Sequence, residues 1–158
     1  MSYKLLANGG FSDTTTQAIA DVTLAQAITF NTDDIKQNVT HSTSSNSSRI
    51  TLDIAGTYLI TYSAQIDIAA SPANKKIEVW LGVDGVFIAS TNSSEFIDTI
   101  NEVIIMTVTY TYAFTAGQYF ELYMTGNDTD LQLLAVAAGT TPTRPAIPSI
   151  ILTVNRIY

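Results

Sequence analysis

The chain has 158 residues, seven of them basic, fourteen acidic and none cysteine, with a net charge of −7. That length suits one domain with a full hydrophobic core, and the missing thiols exclude disulfides, thiolate metal sites and a cysteine nucleophile. The scattered Lys and Arg residues make no concentrated positive face, so nucleic acid is not an expected partner.

Charged residues make up 13% of the chain against 46% hydrophobic, where an ordinary domain has ~25% charged residues. Thr, Ser and Asn supply the polarity instead. So few charges point to an oligomer that hides part of its surface.

In chain order, MSYKLLANGGFSDTTTQ lacks a basic stretch followed by a sustained apolar run, so no signal peptide is expected. The longest apolar run, VIIM at 103–106, falls far short of the ~20 residues of a membrane span. Residues 1–16 read as an arm ahead of a single domain at 17–158, with Tyr3, Leu5 and Leu6 as docking anchors. TQAIADVTLAQAI (16–28) alternates through Ile19, Val22 and Leu24, then Ile28 and Phe30. Its Thr and Val content favours strand over helix.

THSTSSNSSR (40–49) reads as a mobile surface loop. It holds His41, the only histidine, and a mobile loop is poor support for a catalytic triad. A lone imidazole is likewise no metal site.

RITLDIAG (49–56) puts Ile50, Leu52 and Ile54 on one face. GTYLITYSAQIDI (56–68) then alternates strictly, with Tyr58, Ile60, Tyr62, Ala64, Ile66 and Ile68 facing a core. Its second face holds Thr57, Leu59, Thr61, Ser63, Gln65 and Asp67, mild and almost uncharged. KIEVWLGVDGVFIAS (76–90) is a hairpin around Asp84-Gly85, the residue types a tight type I′ turn requires. INEVIIMTVTYTYAF (100–114) faces the core through Ile104, Met106, Val108, Tyr110, Tyr112 and Phe114.

A Gly117 turn leads to AGQYFELYM, with Phe120, Leu122 and Met124 on one face and Tyr119, Glu121 and Tyr123 on the other. Outward tyrosines suit a protein interface, because each joins a large contact area to a polar tip. NDTD (127–130) offers Asn127, Asp128 and Asp130 as oxygen donors for calcium, yet lacks the full loop grammar of such a site. A turn whose side chains cap their own backbone is the expected reading. DLQLLAVAA (130–138) and SIILTVNRIY read as strands, separated by a loop whose three prolines exclude sheet interior. The fold class is therefore all-β: an antiparallel jelly-roll sandwich of about 8–10 strands. No cofactor, metal site or catalytic motif is legible.

The segment beginning Gly56-x-Tyr58, with Thr61-Tyr62 following two apolar residues, resembles the signature strand of the trimeric jelly-roll superfamily of tumour necrosis factor and complement-type globular heads. The later hairpin, the apolar strand at 103–114, the Gly-led strand after Gly117 and the aromatic-closed last strand follow the same order, over roughly residues 17–158. Gln118 stands where the family often has Asp. The resemblance implies a homotrimer formed through the inner sheet, with Leu59, Thr61, Ser63, Tyr119, Tyr123, Ile151 and Ile157 toward neighbours.

No collagen-like stem or anchor accompanies these strands, which argues against a cytokine or complement role. Similar charge-poor free-standing jelly rolls occur in bacteriophage virions. The expected function is a non-enzymatic virion protein, a capsid decoration or appendage on the particle surface, with the major capsid protein as a partner. The alternative is a lectin-like adhesion module that binds a cell-surface glycan through the loops at 40–48, 69–75, 92–99 and 139–148. Neither reading involves a membrane.

Overall fold

The computed structural model describes residues 5–70, 74–100 and 102–158, and among them there is no helix. In chain order the strands are β1 (Asn8–Asp13), β2 (Gln17–Ala18), β3 (Gln26–Ala27), β4 (Thr32–Gln37), β5 (Val39–Thr40) and β6 (Ile50–Leu52). The central group is β7 (Gly56–Ile68), β8 (Lys75–Val83), β9 (Val86–Phe87), β10 (Ser93–Ile97), β11 (Ile104–Phe114) and β12 (Tyr119–Gly126). The chain closes with β13 (Leu131–Leu133), β14 (Gly139–Thr140), β15 (Thr143–Arg144) and β16 (Ile150–Arg156). Ten of these described strands have three or more residues, in line with the expected number.

They form two seven-stranded antiparallel sheets and a small β14–β15 hairpin. Sheet I runs β2-β13-β7-β16-β1-β4, with β11 on the other edge of β7. Sheet II runs β10-β8-β12-β6-β5, with β3 on β12 and β9 on β8. Alternation decides which side chains lie between them. From β7, Tyr58, Ile60, Tyr62, Ala64, Ile66 and Ile68 are all buried, as their period requires. Ile77, Val79 and Leu81 of β8, and Phe120, Leu122 and Met124 of β12, are fully buried from sheet II. Each such large side chain contributes roughly 1.5–3 kcal/mol.

The core tyrosines keep their hydroxyls satisfied, which avoids the ~1–3 kcal/mol cost of an orphaned polar group. Tyr58 Oη donates to Ile54 O at 2.6 Å, Tyr62 Oη to Met106 Sδ at 3.1 Å and Tyr110 Oη to Thr91 O at 2.8 Å. Phe114 of β11 meets Phe120 of β12 with ring centroids 5.9 Å apart, joining the two sheets.

The turns follow their residue types. Asp84 and Gly85 have φ of 49° and 78°, and β9 pairs back on β8 directly across them. Gln118 ties this hairpin to the Gly117 turn. Its Nε2 donates to Asp84 Oδ2 at 2.9 Å, and its Oε1 accepts from Thr115 N at 2.8 Å.

Four sequence expectations need correction. The arm at 1–16 is too long: β1 lies between β16 and β4, with Phe11 fully buried opposite Leu152, so the sandwich already includes Asn8. Residues 16–28 form no continuous strand. Asp21 Oδ1 accepts from Thr23 N and Oγ1 and turns the chain, leaving Val22 and Leu24 exposed between the two-residue β2 and β3. Residues 130–138 contribute only β13, after which the chain leaves the ladder. The fourth is His41, which is buried rather than held on a loose loop. Its ring packs 5.0 Å from Phe11 and 6.3 Å from Phe30, and both of its nitrogens are bonded.

Candidate functional site

Every second residue of β7 points away from the core, and these residues meet similar ones on both sides. Leu59 pairs with Thr111 of β11 and Asn155 of β16; Thr61 with Thr109 and Thr153; Ser63 with Thr107 and Ile151. Gln65 lies opposite Ile105. Thr61 Oγ1 and Thr109 Oγ1 are 2.9 Å apart, and Thr107 Oγ1 donates to Ser63 Oγ at 3.1 Å, so the hydroxyls are partly satisfied within the face. Ile105 and Ile151 are each about half exposed, at 54% and 46%.

Beyond β16 the face continues over Gly10 of β1. Ile35 of β4 covers that glycine: an added Cβ there would stand 3.1 Å from Ile35 Cγ2. The outward positions of β11 and β16, and those of β7 from Thr57 to Gln65, carry no charge; Asp67, near the end of β7, is a buried outward carboxylate that accepts from Gln132 Nε2 at 2.8 Å. Placed in water, such a face is a poor surface; placed against another copy, it has apolar area and hydroxyls to match.

Leu59, Thr61, Ser63 and Ile151 thus share one surface. Ile157, just past β16, is exposed and donates its N–H to Thr57 O on the same strand pair. Tyr119 and Tyr123 do not join them. They belong to β12 of sheet II, so their outward sides face the opposite way. Alternation separates inward from outward positions but does not say which sheet a strand enters. The sequence reading also missed Ile105, Thr107, Thr109 and Thr111 of β11. Their signal was available, as the positions between Ile104, Met106, Val108 and Tyr110 carry no charge.

The outward side of sheet II differs in chemistry. Trp80, Phe87 and Tyr123 form an aromatic cluster with centroids 4.9–6.2 Å apart. Beside it, the buried Glu121 accepts from Ser48 Oγ and Tyr123 Oη, both at 2.6 Å, and pairs with Arg49 at 3.5 Å. Arg49 also lies 4.6 Å over the Tyr119 ring. Burial, with the Glu121 hydrogen bond adding to it, pushes the Tyr123 hydroxyl up to about 12.

Of the docking-arm residues, Tyr3 lies outside the described part. Leu5 and Leu6 are exposed, while their carbonyls accept from Arg156 Nη1 and Asn38 Nδ2.

His41 makes no nucleophile arrangement. Its Nδ1 meets Asp33 Oδ1 at 2.5 Å, and its Nε2 faces the Ser47 carbonyl at 3.0 Å, where a triad would need a hydroxyl. Burial opposes the charge on Asp33, but hydrogen bonds from Lys36 and His41 outweigh it and hold the carboxyl below its usual range. At 127–130, Asp128 Oδ1 caps Asp130 N at 2.9 Å, its Oδ2 pairs with Lys75, and Asn127 Oδ1 accepts from Lys76 N. Among the described residues, no three His, Cys, Asp or Glu side chains are grouped to hold a metal ion.

No protein-family model and no curated protein matches the sequence. Solved structures do match in shape. The globular domain of zebrafish complement 1qA is 13% identical with a TM-score of 0.59, covering 99% of this chain and 98% of that one. The Eiger tumour necrosis factor of S. frugiperda is 7% identical with a TM-score of 0.60, covering 98% and 94%. The fold is the jelly roll of these proteins. At such identities the likeness concerns the fold, and each side chain of the faces above must be judged on its own chemistry.

Proposed function

We propose that the chain is a non-enzymatic structural module that assembles as a homotrimer through the outward face of sheet I. The observation that carries this is the absence of charge at the outward positions of β11, of β16 and of β7 from Thr57 to Gln65, in a chain that is 13% charged overall. The shape shared with tumour-necrosis-factor-like jelly rolls supports it. Burying Leu59, Ile105 and Ile151 against neighbours supplies up to roughly 1.5–3 kcal/mol each, and three identical contacts share the cost of association.

We further propose that this module stands on a virus particle as a capsid decoration or appendage protein, held there by its N-terminal end. The support is the composition, low in charge and rich in Thr, Ser and Asn, and the exposure of Leu5 and Leu6. The test is whether the chain co-purifies with intact particles in fixed proportion to the major shell protein, and whether removing residues 1–6 releases it. Particles lacking the chain would rule out the virion setting and leave the trimer to be judged by its mass.

A further inference from the structure

We propose that the outward face of sheet II carries a cleft for a neutral pyranose sugar, built from Trp80, Phe87, Glu78, Asn92 and Thr125. The cavity they help to line measures about 370 Å³, the size of a small-molecule site. β8 commits Ile77, Val79 and Leu81 to the core, which leaves Glu78 and Trp80 outward. The tight turn at Asp84-Gly85 folds Phe87 back beside Trp80, with centroids 5.4 Å apart. Tyr123, opposite Trp80 in the ladder, backs its ring at 6.2 Å.

Three features point to a sugar. A pyranose presents a face of C–H groups and a rim of hydroxyls, so it asks for an aromatic surface beside paired donors and acceptors. Phe87, 53% exposed, and Trp80 offer the surface. Asn92 Nδ2 donates to Glu78 Oε1 at 3.3 Å, and Lys76 Nζ lies 3.1 Å from the same oxygen, which leaves Glu78 Oε2 as a ready acceptor. The Trp80 Nε1–H is shut away from water with no acceptor, which is uncommon for a buried donor. Movement of Phe87 at the end of its short hairpin would open that donor to a ligand hydroxyl. Anionic ligands are disfavoured by Glu78 and by the net charge of −7. A purely apolar ligand would leave Glu78 and Asn92 unmatched. The cleft differs from the loop tips expected from sequence, and it does not rest on the trimer, whose face belongs to the other sheet.

Trp80 is the only tryptophan of the chain, so intrinsic emission reports this cleft alone. The full chain would be titrated with methyl glucoside, galactoside and mannoside and with N-acetylglucosamine, and then applied to an immobilised glycan array. The expected result is a saturable change in Trp80 emission with at least one glycoside at a Kd of ~1 mM or below. Glu78→Gln and Asn92→Ala should each weaken it about tenfold or more. Both substitutions lie at the surface, so the test survives if Trp80→Phe fails to fold. Unchanged emission with every glycoside and an empty array would overturn the proposal. Sugar binding undiminished by Glu78→Gln and Asn92→Ala would also overturn it, as would a protein ligand that alters the emission where no glycan does.

Discussion

Leu59 stands half-buried at the middle of β7, between Thr111 and Asn155 on its neighbouring strands. In a lone protomer an aspartate there would still reach water. In the proposed trimer it would be a buried carboxylate, which costs several kcal/mol unless a cation pairs with it. Leu59→Asp should therefore convert the assembly to monomers that keep the far-ultraviolet spectrum of the native sheet. Phe96→Asp, at an exposed position of sheet II, should leave the mass unchanged. In the core, Tyr62 is fully buried and its hydroxyl donates to the Met106 sulfur, beside Tyr110. Denaturant unfolding should then show about 3–5 kcal/mol lost for Tyr62→Ala, against about 1 kcal/mol or less for Tyr62→Phe. Asp33 sets a pH dependence. Its carboxyl titrates lower in the folded chain than an ordinary aspartate, so its stabilising contribution is present above the ordinary aspartate range and is lost as the pH falls through the lower folded value. The acid limb of a pH–stability curve should flatten in Asp33→Asn.

At the scale of elements, the turns are the sharpest test of why the chain folds as it does. Gly85 sits at φ 78°, where an added Cβ would make only an ordinary contact, 3.6 Å from Tyr119 Oη. Gly85→Ala should cost about 1–2 kcal/mol by denaturant unfolding through backbone strain alone, and Gly85→Asn less, because Asn tolerates the left-handed region. The same elements show what a sequence reveals. β7, β8, β11 and β12 were legible because they are long and give every second residue to the core. β2 and β3 were not, since two residues carry no period and Asp21 turns the chain between them. β1 was hidden by Gly9 and Gly10, which lack the side chains that announce a strand, although Phe11 anchors it. The surroundings of His41 were equally illegible, because Asp33, Phe11 and Phe30 reach it from other strands. Alternation sufficed to put Leu59, Thr61, Ser63 and Ile151 at outward positions, which the ladder brings onto one surface. Tyr119 and Tyr123 were assigned to it wrongly, since the partner sheet of β12 is decided by long-range pairing.

For the molecule as a whole, the two sheets present unlike exteriors. The outward centre of sheet I, over β11, β7 and β16, shows hydroxyls and isoleucines, the surface on which the proposed trimer rests. Sheet II shows Trp80, Phe87 and Tyr123 beside Glu78, Glu121 and Arg49, the chemistry of the proposed ligand cleft. The most direct measurement is the mass of the intact chain by light scattering during gel filtration at micromolar concentration. A value of about three times the 17.1 kDa protomer is predicted, falling to one protomer in Leu59→Asp. A stable monomer of the unaltered chain under those conditions would contradict the account.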